Sequence, residues 1–235
     1  MNEHPVKHAF ILAAGFGTRL KPLTDDLPKA LVPYKGRPMI ENVIDKLLSY
    51  GIEKIAVNTH HYSDKMKDYF ADRCGKPEIE IICEKEILGT GGALKNAELY
   101  LSDAEDVLIY NTDVDCEIDL DEFYSFHFAS KGIASLCVQT RNTSRYLLCN
   151  SNGKLVGRTE NGLDVVYASG SSSYVRKAFC GIHIVNRRLF PFLREKTGNF
   201  DIIPEYMRLV STDKDIFTFD ITGVRWKDLG IPQNL

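Results

Sequence analysis

Short apolar runs alternate with stretches whose apolar residues recur at helical spacing, a texture that predicts strands and helices in alternation over a largely parallel sheet. AFILAAG (Ala9 to Gly15) is a continuous apolar run and reads as a buried first strand. Between Met39 and Tyr50, the residues Ile40, Val43, Ile44, Leu47 and Leu48 share one helical face, and Gly51 supplies a stop. KIAVNTH (Lys54 to His60) is a second strand. Ser63 is expected to cap a helix through Arg73, with the strand EIEIIC (Glu78 to Cys83) after it. A helix over about 90–101 then leads into VLIY (Val107 to Tyr110), the clearest strand of the chain.

Beyond about residue 130 the texture changes. ASLCVQT and RYLLC read as strands, Asn152-Gly153 as a hairpin turn and GSSS (Gly170 to Ser173) as a flexible loop. AFCGIHIV (Ala178 to Val185) returns to a buried strand, and FDIIPEYMRLV starts a short helix before the strand FTFDI. No internal repeat is present, which excludes a hexapeptide-repeat appendage. The expected class is α/β: a Rossmann-like, mixed but mainly parallel sheet flanked by helices, in one domain over residues 1–235.

Composition narrows the partners. At 235 residues, 44% hydrophobic and 26% charged, the chain has the makings of one globular core. A net charge of −3 argues against non-specific binding to nucleic acid or membranes. Yet between Lys7 and Arg37 six basic residues (Lys7, Arg19, Lys21, Lys29, Lys35, Arg37) face two acidic ones, so this segment suits an anion. The six cysteines are scattered without a C-x-x-C pair, fitting neither a zinc site nor a disulfide framework. The apolar run near the N-terminus is too short for a signal peptide, and none is long enough to span a membrane. A soluble, reduced, cytoplasmic domain is expected; a homo-oligomer is left open.

The richest segment is LAAGFGTRLKPLTDDLPKALVP, which starts at Leu12. A strand running into Gly15-Phe16-Gly17 lets backbone N–H groups approach a phosphate without a Cβ in the way. A dinucleotide fingerprint wants a third glycine at position 20, where Leu20 stands, and a phosphate-loop NTPase wants Gly-Lys-Ser/Thr, which Thr18-Arg19 does not supply. A third reading adds Arg19 and Lys29 as cations for the same phosphates, with Pro28 and Pro33 stiffening the backbone around the second.

This G-F-G-T-R-L-x-P-L-T-x-x-x-P-K-x-L-V-P stretch resembles the signature of sugar-1-phosphate nucleotidyltransferases, the nucleotide-sugar pyrophosphorylases. The resemblance implies the nucleotide-diphospho-sugar transferase type of sheet, with a nucleotide-binding half over about 1–115 and a sugar-binding half over about 116–235. It also implies a nucleoside triphosphate and a sugar 1-phosphate as substrates. Arg19 and Lys29 would be catalytic, gripping phosphates. Leu12, Ala13, Gly15, Gly17, Thr18, Gly91 and Gly92 would join them in binding the nucleotide. Asn111, Thr112 and Gly181 would meet the sugar, and Asp113 and Asp228 would hold Mg²⁺, which suits one or two carboxylates plus phosphate oxygens. Asp113 follows a buried strand, where ligands of open α/β sheets gather. Strand alternation could set Asp115 beside it, whereas Asp119 and Asp121 suit a helix start. Glu86 could accept from a base N–H, Asn58 and His60 could edge the same pocket, and Cys180 reads as packing.

Finer likeness rests on TSRYLLC, FCGIH and FDIIPEY, which look most like N-acetylmuramate α-1-phosphate uridylyltransferases and are similar to short mannose-1-phosphate and heptose-1-phosphate guanylyltransferases. Two departures stand out. Thr112 occupies a place usually held by glycine, and Ile231 follows Gly230 where threonine is common. With seven residues left after Asp228, the family's C-terminal helix and any acyltransferase domain read as absent. These departures motivate a rival reading, a non-catalytic regulatory relative that binds a nucleotide sugar.

Overall fold

The structure is a computed structural model that describes residues 6–73, 75, 77–170 and 173–235. The first five residues, Cys74 of the six cysteines, Lys76, and Ser171 and Ser172 of the expected GSSS loop lie outside the described residues.

The first half builds the parallel part of the sheet. Strand β1 (His8–Leu12) is followed by a small hairpin, β2 (Pro33–Tyr34) and β3 (Arg37–Pro38), then α1 (Met39–Ser49) and β4 (Lys54–Thr59). Next come α2 (Ser63–Phe70), β5 (Glu78–Cys83), α3 (Gly89–Asn96) and β6 (Asp106–Asn111). β1 is central, pairing β4 on one side and β6 on the other in parallel, with β5 outside β4. Its side chains alternate between two cores, which explains the unbroken apolar run. Ala9 and Ile11 join Ile40, Val43, Ile44 and Leu47 of α1, while Phe10 joins Ala93, Leu94 and the residues of later helices.

The second half adds β7 (Val114–Cys116), α4 (Leu120–Ser130), β8 (Ala134–Gln139), β9 (Tyr146–Cys149), β10 (Leu155–Glu160), β11 (Leu163–Val166) and the long β12 (Val175–Asn186). It ends with α5 (Phe190–Arg194), α6 (Ile202–Val210), β13 (Ile216–Asp220) and β14 (Trp226–Asp228). β12 runs antiparallel to β6 through its C-terminal half and pairs β9 through its N-terminal half; its other edge pairs β8. β9, β10 and β11 form an antiparallel meander, and β13 lies parallel to β8. The sheet is therefore mixed, as expected, with its antiparallel pairs gathered around β9 to β12 and parallel pairing returning between β8 and β13.

Several expected boundaries move. Ser63 does not cap α2: it is the first helical residue, its hydroxyl donates to His60 O at 2.7 Å, and Tyr62 occupies the cap with a left-handed backbone. The helix expected over 90–101 ends at Asn96 and tightens into a 3-10 turn, Glu98–Leu101. Asp119 does begin a helix, its carboxylate accepting from the N–H groups of Asp121 and Glu122. No helix among the described residues is long and apolar enough to cross a membrane.

Candidate active site

A cleft of about 230 Å³ opens beyond the C-terminal ends of β1, β4 and β6, lined by Leu12, Ala14, Gly15, Lys29, Asn58, Glu84, Ile87, Gly89, Thr90, Asn111, Thr112, Asp113 and Asp201. That is where ligands collect in open α/β sheets. The loop after β1 makes one wall. Gly17 adopts φ +65°, and a Cβ there would lie 2.9 Å from Thr24 Cγ2 and 3.0 Å from Lys29 Cβ. Glycine thus lets the loop close directly over the stem of Lys29. Thr24 pins it by donating to Gly17 O at 3.0 Å.

Two ion pairs join sequence-distant residues. Lys29 Nζ pairs with Asp113 Oδ2, and both side chains are mostly buried. Arg19 Nη1 lies 3.1 Å from Asp228 Oδ2, with the guanidinium more than half exposed. The ribbon of β7 and β14 brings the acids together, because Asp228 pairs in register with Val114 and Leu229 N donates to Asp113 O at 2.7 Å. Gly230 marks the meeting point. A Cβ on it would stand 2.5 Å from Arg19 Nη2 and 2.9 Å from both Asp113 Oδ2 and Asp228 Oδ1. Any larger residue there would displace the charged heads.

Asp115 belongs elsewhere. It accepts from Tyr34 Oη at 2.6 Å, Lys35 Nζ at 3.1 Å and Arg225 Nη1 at 3.0 Å. Burial pushes its pKa up, but these three donors together outweigh that and hold it at about 2. The expectation that alternation could set it beside Asp113 fails because β6 ends at Asn111 and β7 starts at Val114, so a turn separates the strand from Asp113.

The residues expected beside a nucleobase also lie differently. Glu84, not the exposed Glu86, lines the cleft. It accepts from Asn58 Nδ2 at 2.7 Å and from Leu88 N at 3.1 Å, while Asn58 Oδ1 accepts from Ala13 N at 2.7 Å. One buried strut thus joins the glycine loop to the start of α3. Gly91 and Gly92 fall outside the cleft: their N–H groups both donate to Phe200 O, and the Phe200 ring occupies the space over Gly91. Gly89 and Thr90 line the cleft instead. Thr18 is exposed and does not line the cleft, Leu12 and Thr112 line it, and Ala13 is committed to Asn58.

Gly181 sits in the bulge of β12 beneath the Asn111 side chain, which itself faces the cleft. Cys180 is buried, and that burial pushes its thiol up to about 12, which leaves it inert as a nucleophile. The alternation that puts Asn58 and Glu84 inside could have been read from two neighbouring strands. The contact of Phe200 with Gly91 has no local signal.

The carboxylates can be tested against Mg²⁺. No cluster of three or more metal-binding residues exists among the described residues. Asp113 and Asp228, whose carboxylates both lie 2.9 Å from where a Cβ on Gly230 would stand, offer the one or two carboxylates this ion uses. The donor set fits.

Residues 8–158 match the nucleotidyl transferase family. Mannose-1-phosphate guanylyltransferase 1 of Arabidopsis thaliana is 30% identical over 232 residues, 96% of this chain and 62% of that protein. The mannose-1-phosphate guanylyltransferase catalytic subunit beta of Dictyostelium discoideum is 27% identical over 230 residues, again with 62% of its length covered. The chain thus spans under two thirds of the length of these relatives. Among solved structures, HddC from Yersinia pseudotuberculosis complexed with GMP-PN superposes with a TM-score of 0.77 at 22% identity, covering 97% of this chain and 96% of that one. UDP-glucose pyrophosphorylase complexed with UDP-glucose gives 0.79 at 18% identity, covering 97% and 95%. These two likenesses establish the fold, and the family match over residues 8–158 establishes kinship: the chain belongs to the nucleotidyl transferase family.

Proposed function

We propose that this chain is a sugar-1-phosphate nucleotidyltransferase. An oxygen of the sugar's phosphate attacks the α-phosphorus of a nucleoside triphosphate in line, the bond to the β-phosphate breaks, and pyrophosphate leaves as the nucleotide sugar forms. The observation that carries this reading is the convergence of Arg19, Asp113 and Asp228 over Gly230, with Lys29 paired to Asp113. No covalent enzyme intermediate is needed, so the work is positioning and charge stabilisation.

Without substrate, each cation is held by a carboxylate. A triphosphate would draw Lys29 and Arg19 onto its oxygens, exchanging one charge-assisted contact for another. Lys29, the more buried, would neutralise charge growing around the α-phosphorus. Arg19, at the open rim, would grip the departing phosphates. Asp113 and Asp228 would hold Mg²⁺, whose charge offsets that of the reacting phosphates when bound. The Asn58–Glu84 strut would keep the glycine loop and the base-side turn in register. In this reading residues up to about 115 hold the nucleotide, and those after it hold most of the sugar.

Two finer assignments are supported. The likeness of TSRYLLC, FCGIH and FDIIPEY supports UTP with N-acetylmuramate 1-phosphate. The guanylyltransferases among the relatives support GTP with mannose 1-phosphate. The non-catalytic rival draws on Thr112, which is buried with its hydroxyl unpaired among the described residues. Pyrophosphate release is the test, with UTP, GTP, dTTP and CTP each offered against N-acetylmuramate 1-phosphate, mannose 1-phosphate and glucose 1-phosphate. Release from at least one pair is expected; nucleotide-sugar binding without release from any would favour the rival.

A further inference from the structure

Next to the cleft that contains Lys29 and Asp113, a larger cavity of about 600 Å³ opens, and Leu12, Thr90, Asn111 and Asp201 line both. A sugar whose C1 phosphate reaches Lys29 would project its ring into this second space. Its lining is basic on balance: Arg141, Arg145 and Arg158 against Glu160 and Asp201.

The internal pairing of these charges is uneven. Arg158 Nε donates to Glu160 Oε1 at 2.7 Å, and Tyr167 Oη donates to the same oxygen at 2.6 Å, so that acid is matched within the lining. Asp201 accepts from the backbone N–H and the hydroxyl of Thr90, each at 3.3 Å. Arg141 lies 4.1 Å over the Trp226 ring and donates through Nη2 to Phe179 O at 2.7 Å. Among the described residues neither Arg141 nor Arg145 has a carboxylate partner. His183, at the same cavity, adds no charge, because burial pushes its pKa down to about 3.

A neutral hexose offers hydroxyl oxygens that a guanidinium can bind, but no charge to offset two guanidinium groups without acid partners. Guanidinium geometry matches carboxylate and phosphate oxygens. We propose that the sugar carries a second anionic group away from C1, a carboxylate or a phosphate, received by Arg145 with Arg141 behind it. Arg141 is pre-positioned by Trp226 and Phe179, while Arg145 reaches in from the loop between β8 and β9. This inference rests on the nucleotidyltransferase reading above.

The test compares N-acetylmuramate 1-phosphate with N-acetylglucosamine 1-phosphate, the same ring without the lactyl carboxylate, and mannose 1,6-bisphosphate with mannose 1-phosphate. Each is offered with the preferred nucleotide to the wild type, Arg145→Ala and Arg145→Lys. The expected result is a kcat/KM at least about tenfold higher for one anionic member than for its neutral partner. Which pair shows it tells a carboxylate from a phosphate. In Arg145→Ala that preference should shrink about 10–100-fold, mainly through KM, with partial recovery in Arg145→Lys. Equal or better use of the neutral sugars, or a preference that survives Arg145→Ala, would overturn the proposal and leave the nucleotidyltransferase reading standing. Absence of pyrophosphate from every pair would instead count against that reading. Calorimetric binding of the same four sugar phosphates would then decide the present one: tighter binding of an anionic member, lost in Arg145→Ala, supports it, and equal binding refutes it.

Discussion

Lys29 and Asp113 stand 84 positions apart in the chain yet form an ion pair whose side chains are only 13% and 17% exposed. Each offsets the desolvation of the other. In the proposed reaction each would let go of the other, the lysine to meet phosphate and the aspartate to meet a metal ion.

Replacing Lys29 with alanine should lower the rate of pyrophosphate release about 10²–10³-fold, the usual cost of removing one preorganised charge donor. Asp113→Asn should raise the Mg²⁺ concentration needed for half-maximal rate, and chelation should abolish turnover reversibly. A variant at either position with near-wild-type release would show that the roles are misassigned.

Gly230 is a steric gauge of the site. A methyl group there would collide with Arg19 Nη2 at 2.5 Å and with both carboxylates. Gly230→Ala should reduce kcat about 10–100-fold by moving the charged heads, since misplacement of about 1 Å at a reacting centre is that costly. The thermal midpoint should change little, because the atoms met are the ends of side chains and not backbone. Steady-state kinetics beside a melting curve would separate the two effects.

Asn58 bridges the glycine loop and Glu84 through two hydrogen bonds of 2.7 Å. Asn58→Ala would strand the Ala13 N–H and one carboxylate oxygen, costing about 1–3 kcal/mol of stability and raising KM for the nucleotide. Denaturant unfolding and nucleotide titration check both halves. An unchanged KM would detach the strut from nucleotide binding.

His183 predicts a pH dependence of folding. Burial lowers its pKa from 6.5 to about 3, so between those values the unfolded chain binds a proton that the folded chain refuses. Its contribution is therefore fully present above pH 6.5 and is lost as pH falls towards 3, by about 2 kcal/mol at pH 5. His183→Leu should flatten that part of the stability profile; an unaltered slope would place the titration elsewhere.

Asp115 acts in a lower window. With a folded pKa of about 2 against an ordinary 3.8, its stabilisation is complete above about pH 4 and lost as pH falls through 2. Asp115→Asn should cost about 1–2 kcal/mol at neutral pH, a figure reduced for solvent screening of its exposed partners Lys35 and Arg225. The difference from wild type should vanish near pH 2, as unfolding by urea across that range would show.

Much of this protein can be read along one element at a time. The apolar run into Gly15 and Gly17, the prolines around Lys29, the aspartate just past β6 and the acidic start of α4 are local signals, because hydrogen-bonding geometry, Cβ sterics and 3.6- or 2-residue periodicity act over a few positions. The signature of the glycine loop from Gly15 to Pro33, and with it the family, was therefore legible. Beyond the Asn152-Gly153 hairpin that joins β9 to β10, the strand order of the antiparallel half was not, since order and direction are set by which apolar faces meet, and no strand carries that in its own spacing.

The amino-acid sequence by itself determined that Arg19, Lys29, Asp113 and Asp228 were the charged residues to follow and that strands would deliver some of them to a common edge. Only the tertiary structure decided that Asp115 turns away to Tyr34 and Arg225, that Glu84 replaces Glu86 at the cleft, that Phe200 covers Gly91 and Gly92, and that Gly230 leaves room for three charged heads. The reason is physical: charge and periodicity are properties of residues and short segments, whereas a site is a coincidence in space, and the ribbon of β7 and β14 that creates this one pairs residues more than a hundred positions apart.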